Sequence, residues 1–470
     1  MYDVIIVGAG PAGVYAAYEF ANKAPNLKVL IIDKGKNIYE RKCPLNQHKV
    51  DKCPIINGVS GCSPCSITNG FGGAGAFSDG KFNITTEYGG WLTDYLDENV
   101  VMELINYVDS INLKYGATEV ITNPDTDKVR EIEKKAIAVG LKLLRGRVRH
   151  LGTENNLEIL KRIYEELKKN VEMRYTTKVD RIIVENGAVK GVKVHKIREN
   201  EDTEIYADHV VLAVGRKGAS WLSDLCKEHN IETKIGSVDI GIRYELPDTT
   251  MQKINELMYE GKFIGRPFPY GDKVRTFCQN PSGFVSAEVY DNGLTLVNGH
   301  SYKDRKSTNT NLAILVSHHF TYPFDKPIEY GENVAQNLNR LGGNAIMVQR
   351  LGDIFRGRRT WEQDLENNKV QPTLKSAVPG DLTYGLGYRT MTDIIQFIKD
   401  VDQVVEGFAD PANLLYGPEI KFYSNEVVLD ENFQTNIKGL YSIGDGGGLT
   451  TGLMMASCSG VKMARILEKK

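Results

Sequence analysis

The residues with the clearest chemistry lie near the start of the chain. Gly8-x-Gly10-x-x-Gly13 directly follows the apolar run Val4 to Val7, opens a helical pattern from Val14 to Asn22, and is followed by a second strand pattern, Lys28 to Ile32. The order is strand, tight turn, helix, strand. In that setting the three glycines do different things. The first makes the turn, the second lets backbone approach a diphosphate, and the third packs helix on sheet. The diphosphate then rests on free N–H groups at the positive end of the helix. Asp33 ends the second strand, where a carboxylate accepts a hydrogen bond from a ribose hydroxyl and repels a 2′-phosphate. The chemistry that this spacing points to is dinucleotide binding.

Two later segments repeat the style. Val210 to Val214 is an apolar strand ending at Gly215-Arg216, and Gly439 to Ile443 is another, running into Gly444-Asp445-Gly446-Gly447-Gly448 before a closing helix from Gly452 to Glu468. These three segments, in this order, resemble the glutathione-reductase-type flavoproteins, in the branch that keeps FAD in one domain and substrate in another. Within that branch, Phe71-Gly72-Gly73-Ala74-Gly75-Ala76-Phe77-Ser78-Asp79-Gly80-Lys81 resembles the signature of a little-characterised family of FAD-dependent dehydrogenases. So do His150-Leu151-Gly152-Thr153, Ile240-Gly241-Ile242-Arg243, Cys278 with Pro281 and Gly283, Gly299-His300-Ser301 with Arg305, and Gly352-Asp353 with Gly357-Arg358.

The resemblance implies FAD, a substrate domain in mid-chain, and two-electron chemistry between flavin N5 and an organic substrate that it does not name. It carries FAD contacts onto Gly8, Gly10, Pro11, Ala12 and Gly13, onto Asp33, Lys34 and Arg41, and onto Val179 and Gly215. At the far end it gives Gly444 and Asp445 a flavin hydroxyl, and Gly452, Leu453 and Met454 the flavin's C2 carbonyl, where a helix start stabilises negative charge. By composition Gly72 to Gly80 could be a flexible surface loop. The resemblance instead sets Gly73, Ala74, Ser78, Asp79 and Gly80 against the flavin ring or the diphosphate, where missing side chains permit close approach. Lys81 would then favour an anionic flavin, the alternative being an exposed lysine beside a turn.

The cysteines leave several readings open. Cys43, Cys53, Cys62 and Cys65 fall in one stretch, Arg41 to Phe82, that is rich in Gly, Cys, Ser and Asn and is long for a structureless loop. Cys62-x-x-Cys65 has metal-ligand or redox spacing, but the full pattern is not a usual ferredoxin or zinc-finger run. An iron–sulfur cluster, zinc, a redox pair and four packed thiols all fit. No second G-x-G-x-x-G turn offers a nicotinamide cofactor its own domain, so NAD(P)H must bind transiently, or electrons arrive from a protein such as ferredoxin or from the substrate. In mid-chain, Cys278 is a candidate acid or nucleophile and Arg243 a candidate clamp for a carboxylate; core packing and structural pairing are the ordinary alternatives. Glu419 and Lys421 either border the ring or pair with each other.

These groups need two domains, and 470 residues allow them. The expected fold is α/β: a doubly wound, Rossmann-like FAD-binding domain, discontinuous in sequence, with an inserted α+β substrate domain containing an antiparallel sheet. Residues 1–91 form its first part, including the Cys/Gly-rich loop 41–82, 92–145 a helical insertion, 146–236 its second part, 237–420 the substrate (cap) domain, and 421–470 its third part. Helical patterns cover Leu92 to Tyr115, Thr126 to Val139, Asn155 to Asn170, Asn309 to Val316, Glu332 to Leu341 and Thr390 to Val401. Asn186-Gly187 and Asp291-Asn292-Gly293 are hairpin signals.

Composition narrows the function. With 58 Lys and Arg against 60 Asp and Glu, no field of one sign recruits nucleic acid or a membrane surface. An opening without a leader pattern, and no apolar run of spanning length, predict a cytoplasmic protein. The reading is an FAD-dependent dehydrogenase or reductase acting on a small molecule. A flavin monooxygenase ranks behind it, because the aromatic hydroxylases' Asp-Gly segment is expected in mid-chain and the clear Ser-Asp-Gly-Lys here is at 78–81. An FAD electron-relay protein, with a cluster or redox cysteines, is the alternative of another class.

Overall fold

The structure is a computed structural model; it describes all residues except 45, 46, 48, 50–63, 79, 259, 260, 290–292, 303, 304, 423–425 and 470. The chain forms two compact units, the first from Met1–Ile121, Gly146–Gly236 and Ser424–Lys470, the second from Thr122–Arg145 and Ser237–Tyr423. Each has buried apolar cores of its own.

In the first unit, β1 (Tyr2–Val7), α1 (Pro11–Lys23) and β2 (Val29–Ile32) are followed by β3 (Lys81–Ile84) and α2 (Glu98–Lys114). After the second unit's first segment come β4 (Arg147–His150), α3 (Thr153–Leu167), β5 (Glu172–Arg174), β6 (Thr177–Glu185), β7 (Ala188–Lys196), β8 (Glu201–Leu212) and α4 (Ala219–His229). The chain returns with β9 (Leu440–Ser442) and α5 (Leu453–Leu467). Strand order in the main sheet is β5-β2-β1-β8-β7-β6, with β9 also on β8. The strands β5, β2, β1, β8 and β9 run parallel. Their residues Val4 to Val7, Val29 to Ile32 and Val210 to Leu212 are buried, as a sheet covered on both faces requires. β8 is long enough to serve two purposes: Val210 to Leu212 pairs with β1, whereas Glu201 to Tyr206 closes an antiparallel meander with β7 and β6. The predicted Asn186-Gly187 turn joins β6 to β7, both residues having positive φ (51° and 76°), as a two-residue type I′ hairpin needs.

The second unit is built on an eight-stranded sheet in the order 378–379, 347–350, 414–422, 238–247, 309–318, 274–280, 262–265, 142–144. All pairings are antiparallel except that of 347–350 with 378–379. Phe284–Val289 and Thr295–His300 pair as a separate hairpin; Asp291 and Asn292 of its predicted turn lie outside the described residues.

Two expectations need correcting. Asn309 to Val316, expected as helix, is the strand Asn309–His318, paired on both sides within the sheet. A strand buried on both faces has no alternation to betray it, and short apolar runs do not separate helix from strand. The stretch 92–145, expected as one insertion, is divided. Val101, Leu104, Ile105, Val108 and Ile111 of α2 join the first unit's core, while the helix Asp127–Ala138 sends Val129, Ile132 and Ala136 into the second unit's core. No helix among the described residues is long and apolar enough to cross a membrane.

Candidate functional site

The three glycines of the first turn meet three different surroundings. Gly8 has φ +109°, and a Cβ there would lie 2.6 Å from the Ala213 carbonyl oxygen. A Cβ on Gly13 would lie 2.0 Å from the Gly8 carbonyl oxygen, so α1 can approach the turn this closely only over a glycine. Around Gly10 a Cβ would meet nothing within 4 Å. Turn, open approach and close packing thus fall on the three positions in the order a diphosphate-binding turn requires. Pro11 takes the first position of α1, Ala12 is buried behind it, and neither a capping side chain nor an acidic residue occupies the helix start. Its N–H groups and positive dipole end are therefore available to an anion.

The second helix start repeats the pattern. Gly452, with φ +98° and open space where its Cβ would be, precedes α5, which also begins without a side-chain cap or an acid in its first turn. Leu453 is partly exposed and Met454 buried. Asp445 faces this start: Gly452 N–H donates to its Oδ2 (3.2 Å), Thr450 Oγ1–H donates to its Oδ1 (2.8 Å), and Arg216 Nε lies 3.9 Å away. Burial pushes the Asp445 carboxyl above its ordinary range, with Arg216 and the Gly452 N–H working against that. Gly444 lies against α1, its absent Cβ 3.0 Å from Ala12 Cβ, and its N–H donates to Ser459 Oγ. Gly446 N–H donates to the Val214 carbonyl (2.9 Å), next to Gly215, whose own Cβ position is open.

The glycine-rich loop joins the two helix starts. Gly73–Phe77 forms a 3-10 turn. Gly72 N–H donates to the Ala9 carbonyl (2.7 Å). A Cβ on Gly73 would lie 3.0 Å from Gly10 Cα, and one on Gly75 would lie 2.7 Å from Leu453 Cδ2 and 3.3 Å from Pro11 Cγ. A small, mainly apolar cavity behind the loop is lined by Pro11, Gly72, Gly75, Leu453, Tyr15 and Asn112, among others. Ala74 lies in the turn, Ser78 Oγ–H donates to the Gly75 carbonyl (2.7 Å), and the Gly80 carbonyl accepts from Leu151 N–H. Asp79 lies outside the described residues. Lys81 begins β3 opposite His150 of β4.

Asp33 and Arg41 are both committed to backbone. Asp33 accepts N–H bonds from Ala9 (2.8 Å), Gly35 (2.7 Å) and Gly70 (2.9 Å). Arg41, 4% exposed, donates from Nε to the Ser66 carbonyl (2.9 Å), from Nη2 to those of Ile67 and Gly73 (both 2.8 Å), and from Nη1 to that of Phe71. Lys34 follows Asp33 partly exposed, and Val179 is buried within the β6–β7 meander.

In the second unit the Arg243 expectation is corrected. Arg243 and Glu419 are both 0% exposed, their Nη1 and Oε1 3.3 Å apart. Arg243 also donates from Nε to Asn311 Oδ1 and from Nη2 to the Cys278 carbonyl, both at 2.8 Å. A guanidinium so engaged is not free to clamp a substrate carboxylate. Cys278 has φ +45° at a register shift between Phe277 and Asn280, and Lys421 Nζ lies 3.5 Å from Glu419 Oε1. Cys43 and Cys65 are free thiols, while Cys53 and Cys62 lie outside the described residues.

Sequence reasoning missed Thr450 and Asn156. Asn156 is buried, and its Nδ2–H donates to the Gly75 carbonyl (2.7 Å). Its place just after His150-Leu151-Gly152-Thr153 was the available signal; Thr450 had only its proximity to the Asp445 glycine cluster.

Residues 2–217 match a family model described as pyridine nucleotide-disulphide oxidoreductase, and residues 240–421 one described as FAD-dependent protein, C-terminal domain-like. An uncharacterized protein of Clostridium beijerinckii is 26% identical over 499 aligned residues, covering 99% of this chain and 80% of that one. Among solved structures, Escherichia coli quinol fumarate reductase covers 100% of this chain and 70% of its own at 14% identity and a TM-score of 0.43. L-proline dehydrogenase from P. horikoshii covers 100% and 93% at 12% identity and a TM-score of 0.39. Likenesses that distant carry no substrate across. With these two family matches, the protein is an FAD-dependent oxidoreductase enzyme.

Proposed function

We propose that this oxidoreductase is a dehydrogenase or reductase that moves two electrons between FAD and a small organic substrate, of the little-characterised family that its Phe71–Lys81 segment resembles. One observation carries the reading: Gly75, in mid-loop, lines one cavity with Pro11 at the start of α1 and Leu453 at the start of α5, and a Cβ on it would collide with Leu453 and crowd Pro11, so that three segments distant in sequence converge on two helix starts without side-chain caps.

FAD, when bound, supplies a reversible two-electron acceptor. The chain's own residues hold it. Ala12 and Gly13 offer N–H groups to the diphosphate over the bare Cα of Gly10. Asp445 accepts a hydroxyl of the ribityl chain, its carboxylate already oriented by Thr450 and Gly452. The start of α5, with the N–H groups of Leu453 and Met454 beyond the bare Cα of Gly452, offers donors and a positive dipole end where reduction adds negative charge. Gly73 to Ser78 cover this strip with backbone. Electrons reach the site from transiently bound NAD(P)H, an electron-transfer protein or the substrate.

The test is anaerobic reduction of the FAD-loaded protein with NADH, NADPH and reduced ferredoxin in turn, followed by addition of oxidised candidate substrates. Bleaching by one donor and recovery of colour on adding a substrate is the expected result. Turnover only when oxygen is consumed in step with hydroxylated product would replace this reading with a monooxygenase.

A further inference from the structure

We propose that Arg41 is a positioning residue which sets the glycine-rich loop against the first helix start, and that it is not a ligand of the cofactor. The inference rests on the reading that this loop borders FAD. An arginine next to a dinucleotide turn invites the opposite assignment, a cation for the diphosphate. Its hydrogen bonds argue otherwise.

A guanidinium has five N–H donors in a rigid planar fork. Four of those of Arg41 end on carbonyl oxygens of one short segment, Ser66, Ile67, Phe71 and Gly73, and the guanidinium carbon lies 4.8 Å from the centroid of the Phe77 ring. The side chain is buried beneath the loop, and although burial lowers its pKa to about 10, with Asp33 working against that, the cation persists at neutral pH. Among the described residues one donor remains without a partner, too few for the paired contact by which arginine recognises phosphate.

The peptide plane transmits the effect. In a trans peptide the carbonyl and the following N–H point in opposite directions. Arg41 draws the Phe71 carbonyl inward, so the Gly72 N–H points outward, where it donates to the Ala9 carbonyl inside the Gly8–Gly13 turn. The same geometry at Gly73 turns the Ala74 N–H away from the guanidinium. On the other side of Gly70, Asp33 accepts the Gly70 N–H while a Cβ on Gly70 would lie 2.3 Å from the Lys36 carbonyl. Arg41 therefore fixes which way the loop's donors face, and does so through backbone groups alone. Lysine, a point charge on a flexible stem, cannot hold four carbonyls in one plane.

The test compares the full-length chain with Arg41→Ala and Arg41→Lys. Amide hydrogen exchange of residues 66–77 is followed in FAD-free protein, and FAD and ADP affinities are measured by calorimetry, with and without added guanidinium. Both variants should exchange the loop amides at least tenfold faster and bind FAD at least tenfold more weakly, while ADP affinity stays within about twofold. Guanidinium should restore loop protection and FAD affinity in Arg41→Ala. Unchanged loop exchange, or ADP affinity falling in step with FAD affinity, overturns the proposal. If Arg41→Ala does not fold, Arg41→Lys decides, because wild-type exchange in that variant would refute the need for a fork. Failure of the underlying FAD reading registers separately, as a wild-type chain that binds no FAD while its loop exchange still depends on Arg41.

Discussion

The Gly70 N–H donates to Asp33 Oδ1 at 2.9 Å across a sequence separation of 37 residues. With Ala9 and Gly35 also donating to this carboxylate, Asp33 ties the first turn, the end of β2 and the glycine-rich loop together. Asp33→Ala should accordingly destabilise the FAD-free chain as well as weaken FAD binding. Three hydrogen bonds to a partly buried carboxylate suggest a loss of about 2–4 kcal/mol, read from urea denaturation. Unaltered denaturation with weaker FAD binding would return Asp33 to a role on the ribose alone.

Gly10→Ala and Gly13→Ala should separate folding from binding. At position 13 the new methyl would meet the Gly8 carbonyl at 2.0 Å, and backbone cannot step aside, so a loss above about 3 kcal/mol is expected. At position 10 the methyl enters open space; stability should change by less than about 1 kcal/mol, while ADP and FAD affinities fall at least tenfold. Calorimetric titration of Gly10→Ala with ADP checks this, and wild-type affinity would count against the placement of the diphosphate.

The Arg243–Glu419 pair is a prediction about stability. Arg243→Met leaves the buried Glu419 carboxylate without its guanidinium, with Lys421 Nζ 3.5 Å from Oε1, and breaking a buried pair from one side costs about 3–5 kcal/mol. Thermal and urea denaturation should show it. Normal stability with a raised KM would restore Arg243 as a substrate clamp.

A pH dependence is built into the second unit. Asp393 is fully buried beside Asp272; burial, together with the hydrogen bond that its protonated carboxyl donates to the Asp272 carboxylate and the charge of that carboxylate, pushes it up to about 7, against the pull of Arg389. A carboxyl whose folded pKa is raised holds its proton longer in the folded chain than in the unfolded one. Between about pH 4 and 7 the folded state thus binds more protons, and stability falls as pH rises through that window. Asp393→Asn should flatten this slope, by on the order of 2 kcal/mol across the window. Parallel wild-type and variant stability curves would mean that Asp393 is ionised throughout.

How much of this was legible in the sequence depended on whether a residue type has one use. Gly8, Gly10 and Gly13 were legible because each position tolerates only glycine or opens to solvent for a stated reason, and Asn186-Gly187 because a two-residue turn with positive φ at both positions has few other spellings. Asn309 to Val316 was not, because a strand buried on both faces lacks the alternation that marks a half-exposed one. Arg41 and Asp33 were found as residues but not in their contacts. Their partners are backbone carbonyls and N–H groups of a distant loop, which any sequence possesses and which only the fold brings within reach.

On the proposed function, two helix starts, one from each end of the chain, hold one FAD. The most direct measurement is the FAD content per chain of wild type, Gly10→Ala and Asp445→Ala, each purified and reconstituted identically and read from the flavin released on denaturation. Close to one FAD per wild-type chain and a marked loss in both variants is the predicted result. A wild-type chain that takes up no flavin, or variants that retain it in full, would show that these helix starts do not hold FAD.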